Sequence, residues 1–111
     1  MKNRVAIIIA GNIASGKTSL ANELLKKLTD FSLISMDQER VAASGEGLSR
    51  EQEAEQAVIE KVQLADRLLY ETTTLGKMYR VVNKLLIKRE FRVICLKLYC
   101  PPQECLRRYQ E

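Results

Sequence analysis

The segment Gly11–Thr18 reads G-N-I-A-S-G-K-T and fits the phosphate-binding loop pattern G-x-x-x-x-G-K-[ST]. An unbroken apolar run, Val5 to Ala10, precedes it and an amphipathic stretch follows it. The loop therefore falls between a strand buried on both faces and a helix, the context the pattern requires. A triphosphate carries several negative charges, so its site needs many donors close together. Gly11 and Gly16 let the backbone curl until the N–H groups of Gly11, Asn12, Ile13, Ala14, Ser15 and Gly16 point inward as an anion nest. Those amides continue through Lys17, Thr18 and Ser19 into a first helical turn, where unpaired N–H groups and the helix dipole both favour phosphate. Lys17 is placed to reach the β- and γ-phosphates, and the Thr18 hydroxyl to ligate a Mg²⁺ that bridges them. The alternative is a glycine turn that carries Lys-Thr by chance.

A chain of 111 residues accommodates one domain, residues 1–111, and buries ~65% of its unfolded surface on the usual scaling. The apolar run Val5 to Ala10 is too short for a bilayer, and the charged start Met1-Lys2-Asn3-Arg4 resembles a signal peptide only until the loop interrupts it. A cytoplasmic protein is expected. Cys95, Cys100 and Cys105 cannot all pair, and no histidine is present to complete a mixed zinc site. Buried free thiols in a reducing compartment fit best. The net charge of +4 is uneven, residues 1–75 summing to −2 while residues 76–111 carry nine basic and three acidic side chains. A basic end could face nucleic acid. However, Lys77, Arg80, Lys84 and Lys88 fall on the polar side of a helix, and no aromatic residues are interleaved for base stacking.

The strand Val5 to Ala10 is expected to be central. After the loop, a helix over Lys17 to Leu28 presents Leu20, Ala21, Leu24, Leu25 and Leu28 as one apolar stripe. Phe31 to Ser35 reads as a second strand, with a turn Met36 to Arg40 at the carboxyl edge of the sheet, where open α/β folds bind ligands. Ala42 to Leu48 lacks periodicity and is expected to be a loop. Ser49 with Gln52 forms a capping box for a helix running to Ala65, its buried face set by Ala54, Ala57, Val58, Val62 and Ala65. Arg67 to Thr72 is a third strand. Leu75 to Arg89 is a helix with Met78, Val81, Val82, Leu85 and Leu86 in register. Arg92 to Tyr99 is a fourth strand, whose core Val93 to Leu96 suits a sheet interior. Pro101-Pro102 stops it, and Glu104 to Glu111 begins a last helix. This alternation predicts an α/β fold, a parallel sheet with helices on both faces.

The run from Val5 to Leu25, followed by S-M-D-Q-E-R at Ser35 to Arg40, resembles the small P-loop kinases. Within them it is similar to the group of polynucleotide 5′-hydroxyl kinases, tRNA-end kinases and zeta-toxin-like sugar-nucleotide kinases. The resemblance implies a three-layer P-loop NTPase fold. It implies that Asp37 takes the proton from an acceptor hydroxyl and that Arg40 helps to hold substrate or phosphate. An acidic residue after the third strand of that group, in a D-[AG]-[ST]-N pattern, corresponds to Glu71 of Glu71-Thr72-Thr73-Thr74, which implies support of the metal. The carboxylate is kept in longer form and the asparagine is replaced. Pro101 to Arg108 looks like the start of the lid helix, and Arg108 takes the place of its first phosphate-closing arginine. Members of the group continue through the lid, a further strand and a base-binding loop, so the chain is expected to be a fragment or a reduced version of the fold.

These residues point to a kinase that moves the γ-phosphate of ATP or GTP, with Mg²⁺, to a hydroxyl acceptor: a nucleic-acid 5′ end, a nucleoside, a sugar nucleotide or another small molecule. Lys17, Asp37, Arg40 and Arg108 are the candidate catalytic residues, with Thr18 and Glu71 at the metal. The rival expectations are a nucleotide-binding module or weak NTPase without acceptor phosphorylation, and a nucleic-acid-binding protein that uses the basic C-terminal half.

Overall fold

In the computed structural model, the described residues are 3–11, 17–72 and 76–98, with Lys17 and Thr18 described by their backbone only. The elements are β1 (Val5–Gly11), α1 (Lys17–Lys27), β2 (Ser32–Ser35), α2 (Met36–Ala42), α3 (Gly47–Leu64), β3 (Arg67–Thr72), α4 (Lys77–Lys88) and β4 (Arg92–Leu98). The expected last helix, Glu104 to Glu111, lies outside the described residues.

The four strands form one parallel sheet in the order β2-β3-β1-β4. β1 is central, as its all-apolar sequence requires, and its alternate side chains feed two cores. Ala6 and Ile8 enter a core with Ala54, Val58 and Val62 of α3 and Val82 and Leu86 of α4. Ile7 and Ile9 enter another with Leu69 and Ala21, closed by Leu20, Leu24 and Leu28 of α1. Helices thus cover both faces of the sheet, giving three layers. Each fully buried Ile or Leu contributes about 1.5–3 kcal/mol relative to exposure, so the two-faced burial of β1 is the main local anchor of the fold.

α4 ends in a Schellman motif. The N–H of Phe91 donates to the Leu86 carbonyl at 2.9 Å and that of Glu90 to the Ile87 carbonyl at 3.0 Å. Glu90 takes the left-handed position with φ 60°, and Phe91 returns to the core beside Leu86. Arg89 then ties this corner down, donating to the carbonyls of Val62 at 2.5 Å and Ala65 at 2.7 Å.

Four expectations are corrected. Met36 to Arg40 is not a turn but the start of α2, which follows Ser35 without a side-chain cap bond and buries Met36 and Glu39. The capping box at Ser49 is not used, because α3 begins earlier, after Glu46, and Gly47 enters it at φ 58°, where a side chain would be strained. β4 is not a sheet interior. Among the described residues only β1 flanks it, and Ile94 and Cys95 are exposed. Cys95 is therefore an exposed thiol rather than a buried one, while Cys100 and Cys105 lie outside the described residues.

Candidate functional site

Gly11 closes β1 and Lys17 opens α1, so the phosphate-loop sequence joins the carboxyl end of the central strand to a helix N-terminus. Asn12 to Gly16, the side chains of Lys17 and Thr18, and Arg108 lie outside the described residues. Ser19 is exposed on the first turn of α1. Glu71 sits beside Ile9 of β1, two residues before Gly11, and also pairs in register with Ser35 of β2. It is nearly buried, at 9% exposure.

Asp37, Arg40 and Glu71, far apart in sequence, line one cavity of about 200 Å³ at the carboxyl edge of the sheet. α2 follows β2 directly and carries Asp37 and Arg40, one turn apart, on its outward side. α3 brings Glu51 and Glu55, again one turn apart, against them, and α4 contributes Lys77. β3 supplies Tyr70 and Thr72 with Glu71.

Arg40 organises this edge. Its Nε and Nη2 donate to both oxygens of Glu51 at 2.8 and 2.9 Å, a bidentate fork, and its Nη1 donates to Asp37 Oδ1 at 2.8 Å. The Glu51 hydrogen bonds hold the guanidinium even more firmly charged than usual, and the same bonds hold the Glu51 carboxyl below its ordinary value. Nearby, the almost buried Glu39 pairs with Lys61, and the N–H of Ser44 donates to Glu53 at 2.7 Å, so α2 is fastened along α3 by charge as well as by Met36. Lys77 Nζ stands 3.4 Å from Glu55.

Tyr70 is wholly buried, and its hydroxyl is a buried polar atom without a hydrogen-bond partner among the described residues. Burial pushes the phenol above its ordinary value, against a weak hydrogen-bonding influence of the nearby Thr72 side chain and the Arg40 charge. Tyr70 thus stays neutral, with its hydroxyl buried behind the cavity wall.

Sequence reasoning found Asp37, Arg40 and Glu71 but missed Glu51, Glu55, Tyr70 and Lys77 as members of the same cavity. The available signal was the i, i+4 acid pair Glu51 and Glu55 on a helix whose opposite face is apolar.

No group of three or more acidic or cysteine side chains is arranged to hold a metal among the described residues. Glu71, beside the end of β1, is a single carboxylate next to the phosphate-loop sequence.

No protein-family model and no curated protein matches the sequence. Solved structures do match in three dimensions. A chain of the PezAT chromosomal toxin-antitoxin system of Streptococcus pneumoniae superposes with TM-score 0.81 at 19% identity, over 99% of this chain and 52% of that one. The shikimate kinase of Acinetobacter baumannii in complex with shikimate superposes with TM-score 0.62 at 19% identity, over 96% and 63%. The chain has the fold of the small P-loop kinases. A chain of the Pnkp1/Rnl/Hen1 complex shares this P-loop kinase fold with TM-score 0.74 at 14% identity, over 97% of this chain and 40% of that one. The chain spans about half the length of the PezAT chain, 52%. Among the described residues no helix is long and apolar enough to cross a membrane.

Proposed function

We propose that this chain is the phosphate-binding part of a phosphotransferase that moves the γ-phosphate of ATP or GTP to a hydroxyl acceptor. The observation that carries the reading is the convergence of two features on one sheet edge. The G-N-I-A-S-G-K-T loop leaves β1 there, and Asp37, Arg40 and Glu71 line a cavity there.

In this reading the loop amides from Gly11 to Ser19 and Lys17 hold the β- and γ-phosphates. Thr18 and Glu71 would hold Mg²⁺, which supplies charge neutralisation on the bridging phosphate oxygens when bound. Asp37 orients the acceptor hydroxyl. With Oδ1 engaged by Arg40, Oδ2 is the oxygen that would take the acceptor proton. The acceptor oxygen forms its bond to the γ-phosphorus as the bond from that phosphorus to the β–γ bridging oxygen breaks, and the nucleoside diphosphate leaves with the electron pair. Arg40, held by Glu51, fixes Asp37 rather than gripping a free phosphate. Arg108 is proposed to close over the phosphates.

The test is Asp37→Asn, which should abolish transfer while nucleotide still binds. Lys17→Ala should remove nucleotide binding itself. A second reading, a nucleotide-binding module or weak NTPase, is favoured by the engagement of Asp37 with Arg40. It would show as hydrolysis that no acceptor accelerates.

A further inference from the structure

To take a proton from an acceptor hydroxyl, Asp37 must hold one carboxylate oxygen in a fixed direction, yet its side chain is 68% exposed on a helix of seven residues. An exposed ion pair with Arg40, one turn away, is too weak by itself to keep a carboxylate in one orientation. A guanidinium with its side-on edge open would also tend to fork onto Asp37 and take both oxygens. Glu51 works against both outcomes. Its two oxygens accept from Nε and Nη2 of Arg40 at 2.8 and 2.9 Å, which fixes the guanidinium plane and leaves Nη1 to donate to Asp37 Oδ1 at 2.8 Å. Oδ2 of Asp37 stays outside the pair. Glu51 also does more than Asp37 to hold the guanidinium charged. The place of Glu51 in the fold lets it act this way. It stands on α3, which Ala54, Val58 and Val62 anchor in the core, whereas α2 buries only Met36 and Glu39. Orientation therefore passes from the core through α3 to Glu51, then to Arg40 and Asp37.

We infer that Glu51 is the positioning residue of the acceptor side: by occupying the Nε–Nη2 edge of Arg40, it limits Asp37 to one hydrogen bond and reserves Oδ2 for the acceptor proton. The inference rests on the phosphotransfer reading for the fate of that proton, but not for the orientation of Asp37. Without Glu51, Arg40 either turns its side-on edge to Asp37 and engages both oxygens or swings into solvent and releases it. In both cases the aimed oxygen is lost. The phosphate-loop sequence, which joins β1 to α1, is untouched by the change.

The experiment uses the full chain as wild type, Glu51→Ala, Glu51→Gln, Arg40→Ala and the double variant Glu51→Ala/Arg40→Ala. Glu53→Ala is the control, since it removes another α3 carboxylate, the one that accepts from Ser44. NMR follows the Arg40 Nε–H resonance and the Asp37 β-proton couplings. Transfer from γ-labelled ATP to a 5′-hydroxyl oligonucleotide, nucleosides and sugar nucleotides is measured on the same samples, with nucleotide affinity alongside. The wild type should show a slowly exchanging Nε–H and one Asp37 rotamer. In Glu51→Ala the Nε–H should exchange faster and the couplings should change, while transfer falls about ten-fold or more at nearly constant nucleotide affinity. Glu51→Gln, with one oxygen left to accept, should lie between. Because Glu51 acts through Arg40, the double variant should transfer no worse than Arg40→Ala alone, whereas a merely structural role would multiply the losses. Glu53→Ala should leave the Asp37 couplings and transfer unchanged. Asp37 couplings unaltered in Glu51→Ala, losses that multiply in the double variant, or an equal loss in Glu53→Ala would overturn the inference. Couplings that change in Glu51→Ala with no transfer by the wild type would support the positioning of Asp37 and count against the kinase reading. Transfer lost in Asp37→Asn but undiminished in Glu51→Ala would do the reverse.

Discussion

Tyr70→Phe measures what a buried, poorly bonded hydroxyl costs the fold. The substitution removes one oxygen from a residue with 0% exposure and leaves the ring in its place beside Ile8, Leu68 and Val82. That oxygen has no hydrogen bond of good geometry among the described residues. A buried polar group left unbonded costs about 1–3 kcal/mol. The low end applies here, because the Thr72 side chain lies within reach of the hydroxyl and partly compensates it. Removing it should therefore stabilise the free chain by about 1 kcal/mol. For 111 residues the unfolding entropy is about 0.23 kcal/mol/K, so the melting temperature should rise by roughly 4 °C. Circular dichroism melts of both proteins without ligand measure this directly. A fall in melting temperature would mean that the hydroxyl makes a structural bond, and the reasoning would be refuted.

Glu51→Gln should flatten the acid limb of the stability profile. Glu51 is held below its ordinary value of 4.5 by the Arg40 hydrogen bonds, so its contribution is present above that value and is lost as pH falls through the lower folded one; melts between pH 3 and 6 compare the two. If both proteins lose stability in parallel there, the Arg40 fork does not persist in solution. Glu90→Gly should stabilise by about 0.5–1 kcal/mol, because Glu90 takes a left-handed conformation that glycine adopts without strain, and denaturant midpoints measure it. Cys95, exposed on β4, should react with a thiol reagent in the native protein within the mixing time of a mild assay. Protection of Cys95 until unfolding would show that β4 is covered.

The legible parts of the fold are those written as local pattern. Val5 to Ala10 states a two-faced strand, and the stripes Ala54, Val58, Val62 and Val82, Leu86 state the faces that α3 and α4 bury. α2 was missed because its seven residues give too little length for a period to emerge, and because Asp37, Gln38 and Glu39 read as turn chemistry. The start of α3 was misplaced because a plausible capping box at Ser49 competes with the entry through Gly47, which the chain uses. β4 looked interior because apolar residues alone do not tell how many neighbours a strand has. At the site, Asp37 and Arg40 were readable since they lie within one short stretch next to β2. The partnership of Arg40 with Glu51, eleven residues away on another helix, is tertiary, and so is the burial of the Tyr70 hydroxyl.

The central claim is that this sheet edge transfers phosphate to a hydroxyl, and it is tested most directly by incubating the full chain with γ-labelled ATP, Mg²⁺ and a panel of acceptors. The panel holds 5′-hydroxyl nucleic acids, nucleosides, sugar nucleotides and amine-bearing sugars. The account expects label on one acceptor class, lost in Asp37→Asn while nucleotide binding is retained. Nucleotide bound with no label on any acceptor, or label transfer undiminished in Asp37→Asn, would contradict it.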